Sequence, residues 1–424
     1  MNKRWPAAVA AALVAWYASD SLRHRREQGQ GYTLRGEELD VGSDDFLRAT
    51  EAITMAPIAR GNDIELFING DEIFPAMLET MRGAQRSLNF LTYLYWRGEI
   101  AGEVAAALCE RAKAGVEVNV LLDAVGSAKM DRDLLRKMDD AGVTFAYFRP
   151  PKAYAVRRLN NRTHRKLLIA DGEVGMTGGV GIAERWTGNA QDPEHWRDTH
   201  VRVRGPIVRG LQGAFAENWL EATGDVLVGT TYLPDLEPVS DDAAMQVVRS
   251  TAEVGDTNVE ALYFLAIACA RTSLHLTSAY FAPRPAFVEA LTDAARRGVD
   301  VRVLVPGPHI DKQVVRQAGH AAYGDLLDAG VQIFEYCPTM IHAKTLTIDG
   351  TWSSVGSVNF DNRSFQLQDE VTLCVSASAF AAQLDAQFER DLERSAQIEV
   401  ERWNGRPLPG RLREGLTKIM RREL

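Results

Sequence analysis

Apolar and polar positions alternate along this chain in two rhythms, and their order predicts an α/β protein. Asp45 to Ala52 has helical spacing; Ile64 to Ile68, followed by Asn69-Gly70, has the short alternation of a strand running into a tight turn. Beyond it, Glu72 to Ala84 predicts a helix, Ser87 to Tyr95 a buried strand, Ile100 to Ala114 a helix and Val116 to Leu122 another strand. Strands alternating with helices imply a mainly parallel sheet covered on both faces.

The same order then returns. Ala84 to Leu88 corresponds to Ala270 to Leu274, Ala112 to Val120 to Ala295 to Val303, and Ala141 to Tyr147 to Ala329 to Tyr336. The chain is therefore expected to carry two tandem α/β domains, residues 43–225 and 243–400. Residues 226–242, rich in proline and acids, fall between them as a linker.

The ends have a different texture. Lys3-Arg4 precede an apolar run from Trp5 to Tyr17, and Arg23-His24-Arg25-Arg26 follow it. The run is shorter than the roughly 20 residues a spanning helix needs. A short signal anchor, a cleaved signal peptide and a helix lying on a membrane surface all fit, beside an ordinary packed helix. Positive charge on both flanks favours membrane attachment of residues 1–42 on the cytoplasmic side. At the other end, residues 401–424 are basic, with Leu412, Leu416, Ile419 and Met420 on one helical face. Docking on the domains and binding a membrane surface remain even alternatives for this tail.

Composition narrows the functional classes. A net charge of -9 lacks the positive field of a sequence-blind nucleic-acid binder, so no nucleic-acid partner is expected. The four cysteines lie far apart in apolar contexts, which predicts buried, reduced thiols; no metal and no cofactor is implied. From Ala141 through Ala170 there is no acid at all, while Arg149, Lys152, Arg157, Arg158, Arg162 and Arg165 accumulate. These predict a cationic collar for anionic headgroups, with a solvated basic loop as the plain alternative.

The chemistry concentrates in a duplicated motif. His164-x-Lys166-x4-Asp171-Gly172 recurs as His342-x-Lys344-x4-Asp349-Gly350, each followed at a matching distance by small residues, Gly178-Gly179 and Gly356-Ser357. On a strand, residues two apart share a face, so an imidazole and an ammonium point together. That pairing suits a phosphate: neutral imidazole attacks phosphorus, imidazolium protonates a leaving oxygen, and the lysines offset the non-bridging oxygens. Asp171 and Asp349 belong to the catalytic motifs by position, but each precedes a glycine at a strand end, where fixing the turn is the stronger expectation. Asp198 and Glu370, downstream of the two motifs, are better placed to orient the histidines. Ser357 and Asn359 are expected to hydrogen-bond a phosphate oxygen. Gly179 and Gly181 stand there in the first copy and should leave more room for an acyl-bearing substrate. Trp186, Trp196 and Tyr280 are candidates for the acyl entrance or for the core.

From about Ile64 to about Arg394 the chain resembles the phospholipase D superfamily, and the flanks Trp196-Arg197-Asp198 and Asn359 to Glu370 are most similar to bacterial cardiolipin synthases. The resemblance implies two phospholipase D-like α/β domains packed with pseudo-two-fold symmetry around one phosphate. It assigns His164 as nucleophile and His342 as acid and base. It further implies an anionic phospholipid substrate at a bacterial membrane and synthesis of cardiolipin from phosphatidylglycerol with release of glycerol. Hydrolysis to phosphatidic acid is the alternative, and a nuclease a more distant one. Oligomeric state is left open by the sequence.

Overall fold

A computed structural model describes residues 32–37, 39–151, 160–240, 243–252 and 256–405. The N-terminal apolar run, Lys152, Arg157 and Arg158, and the basic C-terminal tail lie outside the described residues. Described residues from Glu37 onward belong to one compact unit. No described helix is long and apolar enough to cross a membrane.

Two sheets form the framework. In the first half the strands are β1 (Asp63–Ile68), β2 (Ser87–Thr92), β3 (Glu117–Asp123), β4 (Thr144–Phe148), β5 (Leu167–Ala170), β6 (Val174–Gly178) and β7 (Thr199–Arg204). The second half repeats them as β8 (Ala244–Ser250), β9 (Ser273–Ser278), β10 (Asp300–Pro306), β11 (Gln332–Tyr336), β12 (Lys344–Ile348), β13 (Trp352–Gly356) and β14 (Gln368–Ser376). Their spatial orders are the same, β1-β7-β6-β5-β2-β3-β4 and β8-β14-β13-β12-β9-β10-β11. The second sheet is extended at its edges by Ile58–Ala59 beside β8 and Ser395–Gln397 beside β11.

The two α/β halves are as expected, but each sheet is mixed. Along those orders pairing is parallel across β2-β3-β4 and β9-β10-β11 and antiparallel between the other neighbours. The cause is local. Each motif strand ends in Asp-Gly with positive φ at both residues (57° and 68° at Asp171-Gly172, 54° and 60° at Asp349-Gly350), which folds the chain straight back into a hairpin. The Asn69-Gly70 turn is also revised. Asn69 adopts φ 61° and opens the helix Asn69–Gly83 directly, while β1 pairs across the sheet with β7. Gly70 is needed there because a Cβ would lie 2.0 Å from the Trp186 carbonyl oxygen.

Strand β2 is buried at all six positions because helices cover both faces, the second of them together with the other half. Ile73, Met77 and Met81 of the helix Asn69–Gly83, with Val104 and Leu108 of the helix Glu99–Lys113, pack over Leu88, Phe90 and Val120. On the other face, Leu211, Phe215 and Trp219 of the helix Val208–Thr223 join Leu167, Ile169 and Val201 to Val355, Val371 and Leu373 of the second sheet in one cluster. Each such buried aliphatic contributes about 1.5–3 kcal/mol, so the halves hold each other in register through a shared core. The helix Asp44–Thr54 precedes the first sheet but packs against the second half, where Phe46 meets Trp352 edge-on at 6.0 Å. Cys269 and Cys374 are buried as expected, but Cys109 is only half-buried and Cys337 is exposed just beyond β11.

Candidate active site

Each motif histidine is suspended from the opposite half before its strand begins. Arg162–Thr163 pairs in parallel with Gln368–Asp369, and the His164 backbone N–H donates to the Asp369 carbonyl at 2.8 Å. Reciprocally, Arg197 bridges to Ile341, and the His342 N–H donates to the Arg197 carbonyl at 2.6 Å. These crossed pairings bring both imidazoles to one cavity of about 280 Å3, lined also by Lys166, Tyr93, Trp186, Trp196, Tyr280, Lys312, Asn359 and Arg363. Lys166 donates to the His164 carbonyl at 2.6 Å, and Lys344 lies against the His342 ring, 3.0 Å from Nδ1 and 3.1 Å from Nε2.

The carboxylates are crossed as well. Glu370, from the second half, places its oxygens 3.0 and 3.1 Å from Nδ1 of His164, which also faces the Ser357 carbonyl at 3.1 Å. Asp198, from the first half, accepts from Nδ1 of His342 at 2.7 Å. Each Nδ1 lies against a carboxylate oxygen, at 2.7 Å in His342, closer than the 3.0 Å to Lys344, so it carries the proton, and Nε2 is the nitrogen left for chemistry in the cavity.

Burial sets the charges. It pushes His164 well below the ordinary imidazole value, with Lys166 and Lys344 adding to it, and pushes His342 down to about 3 with help from Lys344. Burial likewise lowers Lys166 to about 7 and Lys344 to about 8 against the attraction of Glu370 and Asp198. A phosphodiester in the cavity opposes all four displacements, since negative charge favours each protonated cation around it. The two carboxylates then part company. Burial pushes Glu370 up to about 7. It pushes Asp198 up too, but the charge and hydrogen bond of His342, Lys344 and the Thr199 N–H outweigh it and hold Asp198 well below the carboxylate range.

Several residues expected at the site stand elsewhere. Asp171 and Asp349 are turn clamps and not part of the cavity: Asp171 accepts backbone N–H groups of Gln85, Arg86 and Ser87, and Asp349 those of Arg271, Thr272 and Ser273. Ser357 does not face a substrate; its hydroxyl donates to Glu370 and accepts from the Val371 N–H at 3.1 Å. Gly179 makes way for Asp198, whose Oδ1 would lie 2.1 Å from an added Cβ. Gly181 does line the cavity, with Leu94 Cβ 3.0 Å and the Trp186 ring 3.2 Å from where a Cβ would sit. Asn359 does line the cavity, buried, with Oδ1 unpartnered among the described residues.

The described part of the basic collar is internal. Arg165 is fully buried and donates to the carbonyls of Glu370, Ala214 and Ser250 and to Glu217. Arg162 pairs with Asp123 at 2.9 Å, and Arg149 with Glu221. Backbone carbonyls at the join between halves need donors, and arginine supplies several from one side chain. His195 pairs with Asp192 at 2.8 Å as a structural histidine does, whereas His200 is buried, with Nδ1 unpartnered among the described residues, and is lowered to about 4 by burial. Sequence reasoning missed Tyr93, Lys312 and Arg363 in the cavity wall. Arg363 stood in the flank that carried the resemblance; Lys312 and Tyr93 had no local signal.

Known proteins match this arrangement. Residues 77–204 and 263–392 both match the family described as cardiolipin synthase, PLD-like domain. The chain is 32% identical over 388 residues to a cardiolipin synthase of Geobacillus sp. (strain WCH70), covering 91% of this chain and 77% of that protein. It is 34% identical over 377 residues to cardiolipin synthase 2 of Bacillus anthracis, covering 88% and 73%. Among solved structures, phosphatidylserine synthase of Haemophilus influenzae Rd KW20 superposes with a TM-score of 0.67 over 90% of this chain and 100% of that one, at 14% identity, a likeness of fold. Two α/β halves closing on paired His-Lys strands define the phospholipase D-like class of enzymes. Within it, this chain belongs to the cardiolipin synthase, PLD-like domain family.

Proposed function

We propose that the protein is a phosphatidyltransferase of the cardiolipin synthase type, which joins the phosphatidyl group of one phosphatidylglycerol to a second and releases glycerol. The observation that carries this reading is the pair of imidazoles in one cavity, each fixed through Nδ1 by a carboxylate of the opposite half. Nε2 of His164 attacks phosphorus while the bond to the glycerol oxygen breaks, and His342 gives that oxygen a proton. The phosphohistidine is then attacked by a hydroxyl of the second phosphatidylglycerol, which returns a proton to His342 and restores His164. Lys166, Lys344 and Asn359 stabilise the non-bridging oxygens, at about 3 kcal/mol for each such donor.

The family resemblance gives the nucleophile to His164, and the electrostatics agree with it. A firmly ionised Asp198 favours imidazolium at His342, whereas Glu370, pushed toward neutrality, leaves His164 free to stay uncharged. Two displacements at phosphorus retain its configuration. The substrate being a membrane lipid, the enzyme is assigned to the surface of a bacterial membrane, with the apolar and basic stretches of residues 1–31 and 406–424 as attachment segments and the catalytic halves on the cytoplasmic side.

The test is to give purified protein labelled phosphatidylglycerol in mixed micelles and separate the products. Cardiolipin with an equal amount of glycerol is expected, and His164→Ala or His342→Ala should lose it while remaining folded. Phosphatidic acid as the sole lipid product would make the enzyme a hydrolase. Cleavage of single-stranded DNA without lipid turnover would move it to the nucleases.

A further inference from the structure

We propose that Trp186 is a positioning residue for the acid and base histidine, its indole N–H holding Asp198 in place as the anionic partner of His342. The inference rests on the phosphatidyltransferase reading of the site. Nε1 of Trp186 donates to Oδ2 of Asp198 at 2.8 Å, the same oxygen that accepts from Nδ1 of His342 at 2.7 Å, while Oδ1 takes the Thr199 N–H at 2.8 Å. The indole is itself locked. Gly70 lets its backbone approach, Gly181 leaves room for its ring, and Trp196 packs against it with centroids 4.8 Å apart. The two tryptophans bracket the imidazole, Trp196 stacked at 5.4 Å and Trp186 edge-on at 5.2 Å.

The other half lacks this device. There the hydroxyl of Ser357 meets Glu370, and the ring nearest His164 is Tyr93, edge-on at 5.3 Å. A hydroxyl can donate or accept and so tolerates a carboxyl in either protonation state; an indole N–H only donates and favours the ionised one. The two carboxylates thus meet donors of different chemistry, and the indole keeps Asp198 the ionised one of the pair. The other titratable groups near the pair are Lys344 on the same strand, Lys166 and His200 from the first half, and Tyr280.

Trp186→Phe keeps a ring and removes the N–H. Turnover of phosphatidylglycerol should fall about tenfold to a hundredfold, the loss expected for a hydrogen bond to a charged group, with KM changed by less than about threefold. With one donor fewer, the Asp198 charge is less dispersed, so His342 holds its proton to higher pH and the descending limb of kcat/KM moves upward. The His342 imidazole, followed by nitrogen NMR in the unliganded protein and assigned with His342→Gln, should titrate higher by the same displacement. That titration needs no substrate and decides the matter even if wild type makes no cardiolipin. Should Trp186→Phe not fold, benzothienylalanine at position 186 replaces the N–H by sulfur in a ring of the same shape. Titration and pH profile superimposable on wild type, whatever the loss in rate, would overturn the proposal.

Discussion

Glu370→Gln separates the crossed arrangement from any account in which each half works alone. The carboxylate touches Nδ1 of His164 from the opposite half at 3.0 and 3.1 Å and is buried. Gln is nearly isosteric, but its amide N–H can donate to Nδ1, which favours the tautomer carrying the proton on Nε2 and removes the attacking lone pair. Loss of the correct tautomer in a comparable acid-histidine pair costs about 10^4 in kcat, and a loss of that order is expected here. Stability should move the other way. Glu370 is raised from 4.5 to about 7 by burial, so between those values the folded state binds more protons than the unfolded one, and wild-type stability declines as pH rises through the window. The displacement corresponds to about 3 kcal/mol, of which the variant recovers only part, since Lys166 loses its counter-charge. The assay pairs initial rates of cardiolipin formation, and acid-quenched phosphohistidine, with thermal unfolding at pH 5 and pH 8. Phosphohistidine should disappear, and the variant should gain on wild type between the two pH values. A kcat within tenfold of wild type would refute the orienting role of Glu370, and a variant that loses ground from pH 5 to pH 8 would refute the electrostatic argument.

Three further outcomes follow from the same geometry. Asp171→Ala or Asp349→Ala should destabilise the fold by about 1–3 kcal/mol in urea titrations while kcat stays within about threefold, because each clamps three backbone N–H groups outside the cavity; a rate loss without a stability loss would return these aspartates to the site. Arg165→Met should cost about 3–5 kcal/mol of stability as a buried strut, with binding to phosphatidylglycerol vesicles by the folded fraction unchanged; the reverse pattern would restore a headgroup role. Lys166 is lowered by burial to about 7, so the unfolded state binds more protons between about 7 and 10.5 and wild-type stability from this group rises across that range. Lys166→Met should therefore gain on wild type most below pH 7, while kcat falls about 10^2–10^3-fold; equal stability profiles would show that burial does not perturb this lysine.

Local pattern carried far into this protein because its elements are local in origin. The helix over Glu72 to Ala84 and the strands at Ser87 and Val116 were legible from apolar spacing, and the duplication was legible from matched glycines. Where expectation failed, a distant partner intervened. Asn69-Gly70 starts a helix with the Trp186 backbone lying against it, and β5 and β12 run antiparallel to β6 and β13 because Asp-Gly reverses the chain. Arg165 was read as a headgroup contact because no local rule shows that the carbonyls of Ala214, Ser250 and Glu370 converge on it.

By itself the sequence determined that two His-Lys pairs exist, each next to a strand, and that their chemistry is phosphoryl transfer; the repeated spacing and the ionisation of imidazole suffice for that. Only the tertiary structure decided that the carboxylates are exchanged between the halves, that Trp186 attends one and Ser357 the other, and that two similar motifs thereby become unequal. Such choices depend on groups 144 and 206 residues apart in the chain, and nothing but the packing of the shared core brings them within hydrogen-bond reach.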